Sequence, residues 1–563
     1  MNEPTRSEDA RIPVTPVAPA TPGANPPAPA HAIAPAGPAT HRRAMLAGIG
    51  GLAAGALLTG KAHAGPLDPP PGPVTSTGKP LTDIEPRIAI NQTNTPGDAS
   101  NIFRITQPGS YYLTGDVLGA SGRNGINIAV GDVSIDLNGY SLIGVPGSLR
   151  GIRTTGLRNN FRIVNGVVSG WGQGGVSLTS GGFGVDSLIE NVTAFANGGD
   201  GIRANSNAIV RACRSRDNNG VGVAAQENSI ISDCNASGNT STGIVASASS
   251  RIENCVAANS GAFGIFLNAA GGTVIACIAE ANGLEGIRTG NDTVIQQCVA
   301  RSNGRSGIYG DNGCTISQCT AANNNTTNDG SAAGIRTLSR STIIGCASND
   351  NGSSSRGIYT SSQSTVADCA ASGNAIGIDV LTGSSVLRCA ANNNSTGVNG
   401  FIGCHIGECV SANNSNRGIL IQDGSTVSGC VVFNNGSSGI QCGSNTVVSG
   451  CHLRSNSTGI LFTSQCRIER CAVSNSTSHG IRASGDGNHI EGNSCYSNTL
   501  RGVWVQGTGN YIAGNTCRAN GTNWDVISGN KCLVVNGVNA GAILGNAGGT
   551  SIGSNVPTAN FTY

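Results

Sequence analysis

The sequence contains few charged residues, few aromatic residues and almost no lysine. Charged residues make up 11% of the 563 residues and aromatic residues 4%, whereas about a quarter of a typical globular domain is charged. The three lysines are Lys61, Lys79 and Lys531. The chain between residues 80 and 530 therefore lacks the lysine that a P-loop uses to contact phosphates. The net charge of +2, without a basic cluster, predicts no nucleic-acid partner.

Proline is absent between Pro146 and Pro557, although the chain contains 21 prolines. A proline cannot donate a hydrogen bond to a strand ladder, so this long proline-free stretch is typical of continuous β structure. Length alone would suggest several domains. The high glycine content, 84 residues, and the regular spacing of residue types instead indicate internal repeats.

Two residue patterns recur in step along the chain. Eleven of the fourteen gaps between fifteen aligned cysteines are 20 to 22 residues long. These cysteines are at positions 213, 234, 255, 277, 298, 319, 346, 369, 389, 409, 430, 451, 471, 495 and 517. A Gly-Ile or Gly-Val pair accompanies each of them, and divergent copies precede them at 125–126, 151–152 and 175–176. This period of about 21 residues predicts one β-solenoid turn per repeat and about 18 coils.

Apolar residues alternate within a coil, and asparagine recurs five residues after the cysteine in eleven of the fifteen coils. The alternation predicts side chains that point into a narrow interior. Asparagine tolerates the left-handed backbone of a turn, and stacked copies can bond along the column. Asn239, Asn282 and Asn303 are examples.

These repeating residues resemble the right-handed parallel β-helix family, the pectate-lyase-like fold, over roughly residues 120 to 535. The resemblance implies an all-β, single-stranded right-handed solenoid, a fold that serves lyases, hydrolases, epimerases, tailspikes and adhesins. The catalytic elements of polygalacturonase-like members are absent: the sequence has no Asp-Asp and no Arg-Ile-Lys, and only Ser478-His479-Gly480 approaches Gly-His-Gly. The Asp-Pro-His signature of mannuronan epimerases is absent too. No catalytic residue is therefore assigned.

The twenty cysteines are predicted to be free thiols that act as small buried hydrophobic residues. Disulfides are the alternative for an exported chain. Stacked residues on parallel strands lie about 4.8 Å apart with parallel side chains, whereas disulfide Cβ atoms approach to about 3.5–4.5 Å. No Cys-x-x-Cys pair occurs, so neither a metal site nor a cofactor is expected.

One outward-facing column is the candidate substrate-binding site. The residue after the isoleucine of each Gly-Ile pair should face solvent, and six consecutive coils place there Phe266, Arg288, Tyr309, Arg336, Tyr359 and Asp379. Arg153, Arg203, Arg482 and Trp504 occupy the same column elsewhere. Rings can stack against sugars and arginine can bind carboxylate or sulfate. The alternative is that these residues simply favour an exposed strand face.

Three functions are compatible with this pattern. The first is an exported β-helix protein that binds polysaccharide or another surface polymer along its long face. The second is a polysaccharide lyase or related carbohydrate-active enzyme, in which Arg288 or Arg336 neutralises a uronate and Tyr309 or Tyr359 donates a proton. The third is a purely structural cell-surface rod. The sequence leaves the oligomeric state open.

The first hundred residues predict export. Residues 1–41 are predicted to be a disordered Pro/Ala-rich leader. Residues 42–64 are predicted to be a Tat-type signal peptide, which begins at Arg42-Arg43 and ends at Ala62-His63-Ala64. Residues 65–100 are predicted to be a Pro-rich linker. The apolar run is too short and glycine-rich for a membrane anchor, so no span is expected after cleavage. An N-terminal cap (101–124), the β-helix (125–535) and a C-terminal tail or cap (536–563) follow. The predicted location is periplasmic, cell-surface or secreted.

Overall fold

The computed structural model describes residues 86–156, 158–178, 185–539, 542–544 and 558–563. Every regular element within these ranges is a β-strand. The predicted leader and signal peptide, and the linker up to residue 85, lie outside the described residues.

Each coil consists of three short strands, which define three faces of the solenoid. In one coil, Arg251–Glu253 belongs to face A, Val256–Ala258 to face B and Ile265–Leu267 to face C. Each strand pairs in parallel with the equivalent strands of the preceding and following coils. The predicted parallel β-helix is therefore confirmed.

Face A precedes the cysteine of each repeat. Its strands are Ile88–Ala89, Gly109–Tyr112, Val133–Asp136, Phe161–Ser169, Val185–Phe195, Ser206–Arg211, Ile230–Ser232, Arg251–Glu253, Thr273–Ile275, Val294–Gln296, Thr315–Ser317, Thr342–Ile344, Thr365–Ala367, Ser385–Leu387, His405–Gly407, Thr426–Ser428, Val447–Ser449, Arg467–Glu469, His489–Glu491, Tyr511–Ala513 and Lys531–Cys532.

Face B follows the cysteine, and the two long strands Phe161–Ser169 and Val185–Phe195 extend onto it without a break. Its other strands are Val117–Leu118, Ser141–Ile143, Arg214–Arg216, Asn235–Ser237, Val256–Ala258, Ile278–Glu280, Val299–Arg301, Thr320–Ala322, Ala347–Asn349, Ala370–Ser372, Ala390–Asn392, Val410–Ala412, Val431–Phe433, His452–Arg454, Ala472–Ser474, Ser494–Tyr496, Thr516–Arg518 and Asn560–Thr562.

Face C contains the Gly-Ile pairs. Its parallel strands are Asn101–Ile105, Asn124–Ile128, Arg150–Thr154, Gly174–Ser177, Asp200–Arg203, Val223–Ala224, Ile244–Ala246, Ile265–Leu267, Ile287–Thr289, Ile308–Gly310, Ala333–Thr337, Arg356–Thr360, Ile376–Val380, Thr396–Gly400, Ile419–Ile421, Ser438–Cys442, Thr458–Phe462, His479–Ala483, Arg501–Val505 and Thr522–Val526.

The stack has slightly more coils than the about 18 predicted, because it extends past the recognisable repeats at both ends. Asn101–Ile105, inside the predicted cap, already pairs in parallel with Asn124–Ile128. The strand Pro96–Asp98 pairs antiparallel with the other edge of Asn101–Ile105. At the C-terminal end, Val534–Asn539 pairs with Ala542–Leu544 and with the tail strand Asn560–Thr562.

The narrow interior explains the Gly-Ile pair. Isoleucine fills the core of each coil, as Ile287 does with no exposed surface. A Cβ atom on the preceding Gly286 would lie 2.5 Å from Asn303 Nδ2 and 2.7 Å from Gly307 O of the next coil. Glycine is therefore required where the buried asparagine of the next coil approaches the backbone.

The recurring asparagines form a buried ladder at the turn from face B to face C. Asn303 Oδ1 accepts hydrogen bonds from the backbone N–H of Asn282, at 3.1 Å, and from its Nδ2, at 2.9 Å. Asn303 Nδ2 donates to Asn324 Oδ1 at 2.9 Å and to Ala279 O at 3.1 Å. The predicted column of stacked asparagines is confirmed, and it satisfies turn N–H groups that strand pairing leaves free.

The cysteine ladder has the same role at the turn from face A to face B. All twenty cysteines are free, and all except the half-buried Cys532 are buried. The Cys234 backbone N–H donates to Cys255 Sγ at 3.4 Å, and that of Cys298 donates to Cys319 Sγ at 3.4 Å. The position therefore requires a small side chain that also accepts a hydrogen bond.

The prediction that Cys495 and Cys517 continue this ladder is wrong. Cys495 pairs with Val473, two positions beyond Cys471, and Cys517 pairs with Cys495. The ladder position is taken by Asn493, whose Oδ1 accepts the Cys471 N–H at 2.9 Å. The side-chain oxygen of asparagine accepts the same backbone hydrogen bond as the sulfur of cysteine, so either residue can occupy the ladder position.

No helix within the described residues is long and apolar enough to cross a membrane.

Candidate functional site

The predicted column is continuous on face C. Phe266 pairs with Arg288, Arg288 with Tyr309, Tyr309 with Arg336, Arg336 with Tyr359 and Tyr359 with Asp379. All six side chains therefore lie on adjacent rungs, about 4.8 Å apart. We call this set the Arg/Tyr column. It is partly buried rather than fully exposed, and Asp379 has only 3% of its surface exposed.

Guanidinium groups and phenol rings alternate along the column. Arg288 Cζ lies 3.9 Å from the ring centroid of Tyr309, and Arg336 Cζ lies 4.7 Å from the same centroid. Arg336 Cζ is 5.6 Å from the Tyr359 centroid, and Arg356 Cζ is 5.0 Å from it. Cation–π contacts of this length stabilise both partners. Tyr309 contacts guanidinium groups from the coil before and the coil after, so its hydroxyl group and ring edge are its groups suited to a ligand.

Most of the arginines around the column are paired with carboxylates from turns or neighbouring strands. Arg288 Nη2 lies 2.9 Å from Asp311 Oδ1. Arg356 Nε donates to Asp379 Oδ2, and Asn399 Nδ2 donates to Asp379 Oδ1 at 2.7 Å. The Asp379 carboxylate is thus engaged by protein groups on both oxygens, and it orders the column rather than facing solvent.

Arg336 is the exception in this set. Its Nη1 donates to Ser331 O at 2.6 Å, but its Nε is buried without a hydrogen-bond partner. None of the ion pairs found among the described residues involves Arg336. A guanidinium that has two aromatic neighbours and no carboxylate partner carries a positive charge that no acidic side chain offsets, so it is available to an anion.

A cavity of about 260 Å³ lies at the N-terminal end of the column. Phe263 and Phe266 form one wall, with ring centroids 4.8 Å apart and planes inclined by 27°. Arg288, Asn291 and Asp311 supply the polar wall. Aromatic surface opposite a small set of polar groups is a common composition for a ligand pocket.

A second buried carboxylate lies in the turn that precedes the strand of Arg288. Glu285 is 5% exposed, its Oε1 lies 3.6 Å from Arg305 Nη1, and its Oε2 has no hydrogen-bond partner. Arg305 also pairs with Asp329 at 2.5 Å. Sequence reasoning missed Glu285, Arg305, Asp311 and Arg356, because they lie in turns or at strand starts where the repeat has no fixed residue type.

The other predicted members of the column form separate groups. Arg153 and Arg203 flank Ser177 near the N-terminal end. Near the C-terminal end, Arg482 and Arg501 each lie 4.4 Å from the Trp504 ring centroid, and the His479 ring packs 4.5 Å from it. The structure therefore brings the six residues of the predicted substrate-binding site together and leaves these two groups apart from them.

Metal coordination finds no support among the residues that the structure describes, since no group of three His, Cys, Asp or Glu side chains could hold an ion.

Comparison with known proteins agrees with the architecture. Residues 150–293 match a family model described as the right-handed β-helix region. No curated protein sequence matches the chain. The three-strand coils and this match define the class as a parallel β-solenoid. Within that class, residues 150–293 are similar to the right-handed β-helix proteins.

Several solved structures are similar over a large part of the chain. A variant of the periplasmic alginate epimerase AlgG is 14% identical, covering 51% of this chain and 75% of that one, with a TM-score of 0.34. The A-module of the mannuronan C-5 epimerase AlgE4 of Azotobacter vinelandii is 15% identical, covering 61% and 88%, with a TM-score of 0.27. Tailspike protein 3 of bacteriophage CBA120 is 12% identical, covering 71% and 64%, with a TM-score of 0.32. At these values the likeness concerns the fold and carries no argument about function.

Proposed function

We propose that this protein is exported and binds an acidic polysaccharide along face C, with the Arg/Tyr column as its central contact. The observation that carries the proposal is Arg336. Its guanidinium lies near two tyrosine rings, has no carboxylate partner among the described residues, and leaves Nε without a hydrogen bond. A carboxylate or sulfate of a glycan would supply the anionic partner that this guanidinium lacks; because Nε is buried, the contact would be made at the Nη groups.

The geometry favours contacts through edges rather than ring stacking at the centre of the column. Guanidinium groups from two adjacent coils already contact Tyr309, so a sugar would meet its hydroxyl group. At Phe266 the aromatic surface borders the cavity instead, and a sugar ring can stack there. A bound chain would thus have an apolar contact at Phe266 and an ionic contact at Arg336.

The test is retention of the mature protein on a panel of acidic and neutral glycans. Arg336→Gln should weaken binding to acidic glycans by about 1–2 kcal/mol, because it removes a charge-assisted hydrogen bond. Added salt should reduce the difference between this variant and the wild type, because the lost interaction is ionic. Tyr309→Phe retains the cation–π stack and removes only the hydroxyl group, and it should have a smaller effect.

Arg214→Gln is the matched control. Arg214 lies on face B, is exposed, and forms no ion pair among the described residues. Its loss should leave retention unchanged. Equal retention of the wild type, Arg336→Gln and a Tyr309→Ala/Arg336→Ala double variant would refute the proposal and favour a structural rod.

A lyase activity is the second candidate, favoured by the buried Glu285 carboxylate in the coil of Arg288, whose Oε2 has no hydrogen-bond partner. Arg288 is paired with Asp311, so Arg336 is the better residue to neutralise a uronate and Tyr309 the better proton donor. The same glycan panel should then yield unsaturated products, and both Arg336→Gln and Tyr309→Phe should abolish them.

A further inference from the structure

The N-terminal part of face C contains a second cavity, about 290 Å³ in volume, that lies apart from the Arg/Tyr column. Its lining includes Arg150, Gln173, Gly174, Ser177, Asp200 and Arg203. We call it the Gly174 notch. Its volume is close to the lower end of the range for ligand pockets, about 300 Å³, which suits a single sugar-sized group.

The notch exists because one rung carries almost no side chain. Gly174 lies between Arg150 and Asp200 on the adjacent coils, and a Cβ atom there would meet only the backbone of Asp200 within 4 Å. Three positions further along the same strand, the small Ser177 lies between Arg153 and Arg203. The floor of the notch is thus made of the small residues Gly174 and Ser177. The coils before and after it both carry arginine, and these two coils are about 9–10 Å apart.

The charges around the notch do not balance. Two guanidinium groups, from Arg150 and Arg203, line the notch with one carboxylate, that of Asp200, and a third arginine, Arg153, lies beside Ser177 on the preceding coil. Asp200 is already engaged, because its Oδ2 lies 2.5 Å from Arg203 Nε and its Oδ1 accepts the Val221 N–H at 2.8 Å. Around the Arg/Tyr column, Arg288, Arg305 and Arg356 each have an acidic partner, and Arg336 is the exception.

Arg153 shows the consequence of this imbalance. Burial lowers the pKa of its guanidinium, and the nearby charge of Arg150 lowers it further. Like charges held close together in a partly buried site are unfavourable unless an anion lies between or beside them.

We infer that the Gly174 notch binds an oxyanion, a carboxylate or sulfate carried by a sugar. As a subsite for the polysaccharide the inference rests on the proposed function; as an anion site it does not. Ser177 lies four rungs from Phe266 in the same column, which corresponds to about 19 Å. Beyond Arg203, the residues between the two sites are the buried Ala224 and the half-buried Val245, which are apolar and lie low on the face. A chain that occupies both sites can therefore cross them along the axis of the solenoid.

The experiment uses arginine modification by phenylglyoxal, quantified by mass spectrometry at each arginine of the exported chain. The ligands are a uronic acid monosaccharide, a sulfated monosaccharide and a long acidic glycan. Each monosaccharide arm reports one oxyanion source. The expected result is that one of the two monosaccharides protects Arg150 and Arg203 but not Arg214, and that the long glycan protects Arg336 as well.

Two kinds of variant keep the test independent of folding failure. Arg150→Gln/Arg203→Gln removes charge, whereas Ser177→Leu keeps every charge and fills the floor of the notch. Both should weaken binding of the protecting monosaccharide about tenfold or more, with Arg214→Gln unchanged and with unfolding curves close to that of the wild type. Protection of the notch without glycan binding would overturn the proposed function and leave the anion site standing. Glycan binding that leaves Arg150 and Arg203 fully reactive, or monosaccharide binding that survives both variants, would overturn the notch.

Discussion

The asparagine ladder allows two neighbouring residues of the same type to be compared directly. Asn218 is fully buried, and Asn219, the next residue, is exposed. Asn218 Oδ1 accepts the Asn197 backbone N–H at 3.1 Å and Asn197 Nδ2 at 2.9 Å. Its own Nδ2 donates to Asn239 Oδ1 at 3.0 Å. Asn219 makes one weak side-chain contact, in which its Oδ1 accepts from Thr240 Oγ1 at 3.5 Å.

Asn218→Ala should therefore destabilise the solenoid far more than Asn219→Ala. The first substitution leaves the buried Asn197 N–H without its acceptor, which costs about 1–3 kcal/mol. It also interrupts a chain of hydrogen bonds in a low-dielectric interior. The expected loss is about 2–4 kcal/mol, against less than about 0.5 kcal/mol for the exposed residue.

Hydrogen exchange measured by mass spectrometry is the appropriate assay, because coils contact only their neighbours and opening can be local. Asn218→Ala should accelerate exchange in the coils around Asn197 and Asn239 and leave distant coils unchanged. Asn219→Ala should match the wild type throughout. Similar exchange in the two variants would refute the assignment of the ladder as the main polar support of the turn.

Three further outcomes are expected. Thiol-blocking reagents should label almost no cysteine before denaturation, because burial raises the pKa of thiols such as those of Cys404 and Cys466. Ladder cysteines found by mass spectrometry to be joined in disulfides would contradict this prediction. Deletion of residues 409–429 should be tolerated, because Cys389 then meets Cys430 in register. Deletion of ten residues, about half a coil, should place turns beside strands of the neighbouring coils and yield insoluble protein. Burial, with the charges of Arg501 and Arg482, lowers the pKa of His479 below its ordinary value of 6.5. The unfolded chain then binds the proton more readily, so the free energy of unfolding should fall as pH drops below about 6.5. His479→Gln should reduce that fall, as urea titrations at several pH values would measure.

The sequence predicts the fold well because every coil repeats the same requirement. Isoleucine, glycine and asparagine recur where the narrow interior and the close approach of coils demand them, as at Gly286 and Asn303. The prediction failed for Cys495 and Cys517, because the ladder position requires a hydrogen-bond acceptor rather than sulfur. Asn493 meets that requirement, so the spacing of cysteines no longer identifies the ladder position in the last coils.

The site could be predicted only in part. Strand periodicity identified the column from Phe266 to Asp379, since alternation determines which side chains leave the interior. It did not predict that Arg356 and Asn399 bury Asp379. Arg356 lies in another column of the preceding coil, and Asn399 is the next residue of the same column on the following coil. The sequence did not predict the Gly174 notch for a related reason. Its defining feature is the absence of a side chain between two coils that carry arginine.

The most direct test of the central claim is the map of arginines that a saturating acidic glycan protects from chemical modification. If face C is the binding surface, Arg336 should lose most of its reactivity, while Arg214 on face B and Arg251 on face A should react as in the free protein. Equal protection on all three faces, or none at Arg336, would contradict the account.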